Sequence, residues 1–188
     1  MANTINATAG IGIVATGDNS NELNLQTNGV TGLSIDSSQN VSFANTLALG
    51  VSGSVMELTL SAAAETVTIA ATAATGTVNF DVSTQSILYY TSNASANWTL
   101  NIRGSSSVAL NSIMSTGQSV TITHLVTQGG TAYYNSAVTV DGTSVTPKWS
   151  GGSAPSAGNA NSVDVYSYTL IKTGSGSFTV FASQARYA

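Results

Sequence analysis

Thr77-Val78-Asn79-Phe80-Asp81-Val82 places Val78, Phe80 and Val82 on one side of an extended chain and Thr77, Asn79 and Asp81 on the other. Period-two alternation of this kind marks a strand with one dry and one wet face. The pattern recurs outward from this point. Trp98, Leu100 and Ile102 share a face, as do Val120, Ile122, His124 and Val126, and then Phe178, Val180 and Ala182. In the last long run Asp164, Tyr166, Tyr168 and Leu170 oppose Val163, Val165 and Ile171. Bulk on both faces there predicts a central strand or an interface. The runs are punctuated by Gly, Asn, Asp and Ser, the pattern of an all-β fold. One exception is Ser107 to Gly117, where Leu110, Ile113 and Met114 sit at helical spacing, with Ser107 placed to cap the start and Gly117 the end.

The first 50 residues have a shorter rhythm. Leu23 with Leu25, Leu33 with Ile35, Val41 with Phe43 and Leu47 with Leu49 form apolar couplets separated by polar turns such as Thr27-Asn28-Gly29 and Asp36 to Asn40. Units this small cannot bury their apolar side alone, so they stack on themselves or on identical chains. A trimeric β-spiral or β-prism satisfies this, and a simple hairpin extension is the alternative. Leu23, Leu25, Leu33, Ile35, Val41 and Phe43 are the candidate oligomerisation residues. Gly50-Val51-Ser52-Gly53-Ser54 is suited to a hinge. The expected architecture is therefore an N-terminal β-repeat, docking or trimerisation segment over 1–52 and an antiparallel, jelly-roll-like β-sandwich over 53–188.

Composition narrows the function. Of 188 residues only 6% are charged, so polarity comes from hydroxyls and amides. A surface so poor in charge lacks the repulsion that keeps small domains apart. Arg103, Lys148, Lys172 and Arg186 are the only Lys or Arg residues, too few for a nucleic-acid or basic membrane-binding face. There is no cysteine, hence no disulfide framework or thiolate metal site. Met1 to Asn6 lacks the basic and apolar regions of a secretory signal, and no apolar run has membrane-span length. Synthesis in a cytoplasm is the expectation.

Catalytic chemistry finds little to stand on. The single histidine, His124, sits mid-strand among apolar neighbours, and no Gly-x-Ser-x-Gly elbow occurs. Eight carboxylates are scattered along the chain, with only Trp98 and Trp149 as tryptophans to line a sugar cleft. Asp18 to Glu22 lacks the glycine and distal glutamate of a calcium loop, and Gly174-Ser175-Gly176 lacks what a phosphate loop requires. No cofactor or metal is expected, and no enzymatic role.

From about Thr75 onward the chain resembles a family of virion structural proteins of marine tailed phages, especially those of cyanobacteria. The resemblance rests on Gly76 to Val82, Ser86 to Ala94, Trp98 to Gly104, Thr131 to Tyr134, Val140-Asp141-Gly142 and Pro147-Lys148-Trp149-Ser150-Gly151-Gly152-Ser153-Ala154-Pro155, followed by two strands. Leu25 to Val41 is similar to a repeat of phage tail-fibre proteins. The resemblance implies a fibre, appendage or capsid-decoration role in the virion, with self-association and other virion proteins as partners, and carries no catalytic residues. Loops on such a scaffold are where a host-surface glycan would be met. Gly129, Gly130, Lys148, Trp149, Gly151, Gly152 and Pro155 are the candidate receptor loops, with a hydrophobic plug as the competing role of Trp149.

Overall fold

The computed structural model describes residues 23–27, 29–43 and 63–188. The couplet at Leu47 and Leu49, the hinge at Gly50 to Ser54, the 52/53 boundary and the turn at Asp18 to Glu22 lie outside the described residues. The chain divides into two compact units, Met1–Ser61 and Ala62–Ala188. It is mostly β-strand, and among the described residues no helix is long and apolar enough to cross a membrane.

In the first unit β1 (Leu23–Thr27), β2 (Val30–Ile35) and β3 (Val41–Phe43) form an antiparallel meander. Thr27 pairs with Val30, and Gly29 takes a positive φ of 77° that glycine tolerates without strain. The second turn is tied by Asp36, whose Oδ1 accepts the backbone N–H of Ser38 and of Asn40, both at 2.9 Å. The Asn40 side-chain amide donates to its other oxygen, and these bonds hold the carboxyl below its usual range. Gly32 is skipped in the pairing of β1 with β2, a bulge.

The second unit contains β4 (Val67–Ala73), β5 (Gly76–Asp81), β6 (Ile87–Ser92), β7 (Trp98–Arg103), α1 (Leu110–Ile113), β8 (Ser119–Thr127), β9 (Asn135–Val140), β10 (Thr143–Val145), β11 (Lys148–Trp149), β12 (Val163–Gly174) and β13 (Ser177–Tyr187). A four-stranded sheet has the order β10-β9-β7-β5 and a six-stranded sheet the order β11-β13-β12-β8-β6-β4. From β4 to β9 the chain crosses to the other sheet after every strand. Each strand then pairs in parallel with the one two places on. Val67 faces Ile87, which faces Thr123; Gly76 faces Trp98, which faces Asn135.

The antiparallel, jelly-roll-like arrangement expected from the sequence is thus corrected. Pairing is parallel in the winding and at β11–β13, and antiparallel only at β8–β12, β12–β13 and β9–β10. Alternation fixes which face a side chain takes but not which strand lies beside it, so the sequence pattern is the same for either order. β12 does take a central place, between β8 and β13.

Inward residues of both sheets join one core: Val78, Phe80, Trp98, Leu100, Ile102, Val138 and Val140 from the smaller, and Leu88, Ile122, Val126, Tyr166, Tyr168, Leu170, Val180 and Ala182 from the larger. Asn135 joins the two layers. The Tyr168 hydroxyl donates to Asn135 Oδ1 at 3.0 Å, while Asn135 Nδ2 donates to the carbonyls of Trp98 at 3.2 Å and Ala137 at 2.8 Å. Gln184 Nε2 donates to the Tyr166 hydroxyl oxygen at 3.0 Å. Burial raises the ionisation of both tyrosines well above the phenol range, so each hydroxyl keeps its proton.

The expected helix contracts to Leu110–Ile113, and Ser107 does not cap it. Asp141 does: its two carboxylate oxygens accept the N–H groups of Leu110 at 2.7 Å and Asn111 at 2.9 Å. At the other end Lys172 Nζ donates to the carbonyls of Asn111 and Met114. Both caps come from distant strands, so local spacing cannot disclose them. Leu110 is buried but Ile113 is exposed. Asp141 and Gly142 have φ of 51° and 79° and close the β9–β10 hairpin, the geometry for which an Asp-Gly pair is favoured.

Asn135→Ala removes the shared partner of a buried hydroxyl and two carbonyls, and is expected to cost at least about 2 kcal/mol in urea unfolding. Thr77→Ala, on an exposed position of β5, is expected to stay within about 0.5 kcal/mol.

Candidate functional site

β10 ends the small sheet and β11 ends the large one, and the chain passes between them through Thr146-Pro147. This crossing leaves a half-open groove of about 610 Å³. Its floor is β9 from Asn135 to Val138, and its walls include Ser144, Thr146, Lys148, Trp149, Gly152 and Ala154. Pro147, with its fixed φ, suits the step from one sheet edge to the other. Parallel pairing sets Trp149 opposite Ala182, an inward residue, and Lys148 opposite Phe181, an exposed one. Trp149 is accordingly half-buried against the core, edge-on to Tyr168 at 6.0 Å between centroids. Lys148 Nζ lies over the Phe181 ring at 5.9 Å from its centroid, within cation–π range.

Of the candidate loop residues, Lys148, Trp149 and Gly152 line this groove. Gly151 and Gly152 follow in a short 3-10 turn, exposed and at φ of 80° and 82°. Pro155 is partly buried and is not a groove wall. Gly129 and Gly130 lie in the β8–β9 connection, where Gly129 accepts the Asn161 N–H and packs so closely on Asn93 that a side chain would collide. The structure therefore does not bring Gly129 and Gly130 to Trp149. Ser144, Thr146 and Asn135 complete the groove without having been singled out in the sequence. The signal for them was Pro147 between two short apolar alternations.

The far end of the Ser150 to Ala160 loop is anchored. Buried Asp164 accepts the Asn159 N–H at 3.0 Å and its side-chain amide at 2.6 Å, together with Gln128 Nε2 at 3.1 Å. Gly158 abuts the Tyr133 carbonyl where no Cβ fits. The near end, beside Trp149, has no comparable fastening among the described residues.

His124 lies inside the core, away from the groove walls. Its ring meets Trp98 edge-on at 5.8 Å and Tyr90 at 5.6 Å. Nδ1 is 3.3 Å from the Leu88 carbonyl; a carbonyl only accepts, so Nδ1 carries the proton of the neutral ring. Burial lowers the pKa to about 4, partly opposed by that carbonyl. Among the described residues no group of three or more His, Cys, Asp or Glu side chains is placed to hold a metal ion.

The folded pKa of His124 lies below the unfolded value near 6.5, so between these values only the unfolded chain takes up the proton. Stability from this residue is present above pH 6.5 and is lost as pH falls toward 4, by about 3 kcal/mol. His124→Phe should remove that part of the acid slope in denaturant titrations while the slope owed to carboxylates remains.

No family model matches the sequence, no curated protein matches it, and no solved structure matches the fold.

Proposed function

We propose that this chain is a structural protein of a phage virion, a homotrimeric fibre, appendage or capsid-decoration component, with no catalytic role. In this reading the second unit is a two-layer β-sandwich displayed outward, and the N-terminal segment joins identical chains and anchors to other virion proteins. The protein is made in the host cytoplasm and ends in the particle.

The observation that carries the reading is in the first unit. Cross-strand pairing sets Leu23, Ile35 and Val41 in one row and Leu25, Leu33 and Phe43 in the next, all on one face. Leu23, Leu25, Val41 and Phe43 are each more than two-fifths exposed. A three-stranded sheet this small needs its apolar face covered to be stable. With 6% charged residues, the chain has little to oppose association with its own copies.

Mass measurement in native buffer tests it. The expected species is three times the 18.9 kDa chain. Leu25→Glu combined with Leu33→Glu is expected to yield monomer with an unchanged thermal transition of the β4–β13 unit. A wild-type monomer would sink the reading.

A second reading, glycan binding on the displayed unit, is favoured by one observation: the half-buried face of Trp149 in a groove edged by the hydroxyls of Ser144 and Thr146. Only two tryptophans exist, and Trp98 is 1% exposed. Fluorescence quenching by host-surface oligosaccharides therefore reports Trp149. Saturable quenching abolished by Trp149→Phe is the expected result, and no quenching across a glycan panel ends this reading.

A further inference from the structure

The outer faces of the two sheets in the second unit differ in kind. On the four-stranded sheet the outward residues are polar and satisfy one another. Asn101 Nδ2 donates to Asn79 Oδ1 at 2.8 Å, Thr139 Oγ1 donates to Asn101 Oδ1 at 2.8 Å, and Arg103 pairs with Asp81 at 2.6 Å. Thr77 and Thr99 lie beside them in register. Such a face is complete in water.

The six-stranded sheet turns a different surface outward. Pairing aligns Ile69 with Tyr89, Tyr89 with Leu125, Leu125 with Val165 and Val165 with Ala185, one apolar row across five strands. Val67 and Ile87 extend it by a second row on β4 and β6. Ile69 is 68% and Val67 44% exposed. The residues in register with these two rows carry no charge: Thr123, Ser167 and Ser183 complete the second. Both faces of β6, β8 and β12 are thus apolar, and only the inner one is used by the core. Strands apolar on both faces belong to sheets covered on both sides.

We infer that this outer face is a self-association surface, on which the same face of a second copy of the chain is seated. The inference rests on the reading of the chain as self-associating but assigns a contact in the second unit, separate from the N-terminal rows. A flat face without charge gives a charged or basic partner nothing to pair with, and its best complement is another flat, neutral, apolar sheet face. The area sets how it works. Five strands at about 4.8 Å spacing span about 19 Å, so the patch projects on the order of 400 Å². That is about half of the roughly 800 Å² per partner in a stable complex. The face therefore acts together with the N-terminal rows, each contact raising the effective concentration of the other.

Because the natural chain has no cysteine, single substitutions give clean probes. In the full-length protein Ile69→Cys, Tyr89→Cys and Leu125→Cys are compared with Asn79→Cys and Thr99→Cys on the opposite sheet. Face-to-face sheets lie about 10 Å apart, a gap a short bis-maleimide spans. Interchain cross-linking from the first set and not from the second is expected, at a protein concentration where the native mass is multimeric. No cross-link from the first set, or equal cross-linking from both, overturns the inference, including the case where another segment of the same chain covers the face. The two readings fail separately. A full-mass assembly of the Leu25→Glu, Leu33→Glu variant counts against the N-terminal contact alone, whereas absent cross-links in a multimeric protein count against the sheet face alone.

Discussion

A core built between two sheets from tyrosines, a histidine and an asparagine stands only if its polar atoms are matched, and Asn135 is where the matching is concentrated. It begins β9 in the small sheet and receives the hydroxyl of Tyr168 from the large one. Its own amide closes on two carbonyls of the small sheet. A buried hydroxyl or amide without a partner loses the hydration it had in the unfolded chain. The distance between the layers is therefore set by hydrogen bonds as well as by packing. Tyr166 and Tyr168, stacked 6.4 Å apart, are held in that gap.

With the inner faces matched, differences on the outside acquire meaning. The small sheet ends in amides, hydroxyls and one ion pair that answer each other across strands. The large sheet ends in branched and aromatic side chains. The N-terminal meander repeats the asymmetry at smaller scale, its six apolar side chains on one face and Asn24, Ser34 and Ser42 on the other. A chain with so little charge cannot rely on repulsion to keep such faces apart, and the proposed role in a symmetric assembly turns that composition to use.

Much of the fold was legible from alternation. Val78 and Phe80, Trp98 to Ile102, and Tyr166 to Leu170 occupy the inward positions that their spacing predicts. The six apolar residues of the N-terminal couplets fall on one face for the same reason. What alternation does not encode is neighbourhood. Parallel pairing of β5 with β7 and of β6 with β8 joins strands separated by a crossing to the other sheet, and nothing local in Gly76 to Asp81 names Trp98 to Arg103 as its partner. The cap of α1 by Asp141 is hidden in the same way, whereas the Asp141-Gly142 turn carried a local signal that its dihedral angles explain. Of the candidate site, Lys148, Trp149 and Gly152 were readable as a loop of unusual composition. Gly129 and Gly130 share that composition but serve close packing on Asn93 instead.

The winding of β4 to β9 also has a temporal side. A parallel pair cannot close until the strand from the opposite sheet has been laid down between its members, so these contacts form late and across long stretches of chain. The β12–β13 hairpin is local and needs no such wait. β12 is the strand that joins it to β8 and so to the wound part. During synthesis from the N-terminus, β4, β6 and β8 emerge before the strand that covers the last open edge among them. Until β12 arrives, β8 presents an unpaired, uncharged edge, the form most open to premature pairing with a neighbouring nascent chain.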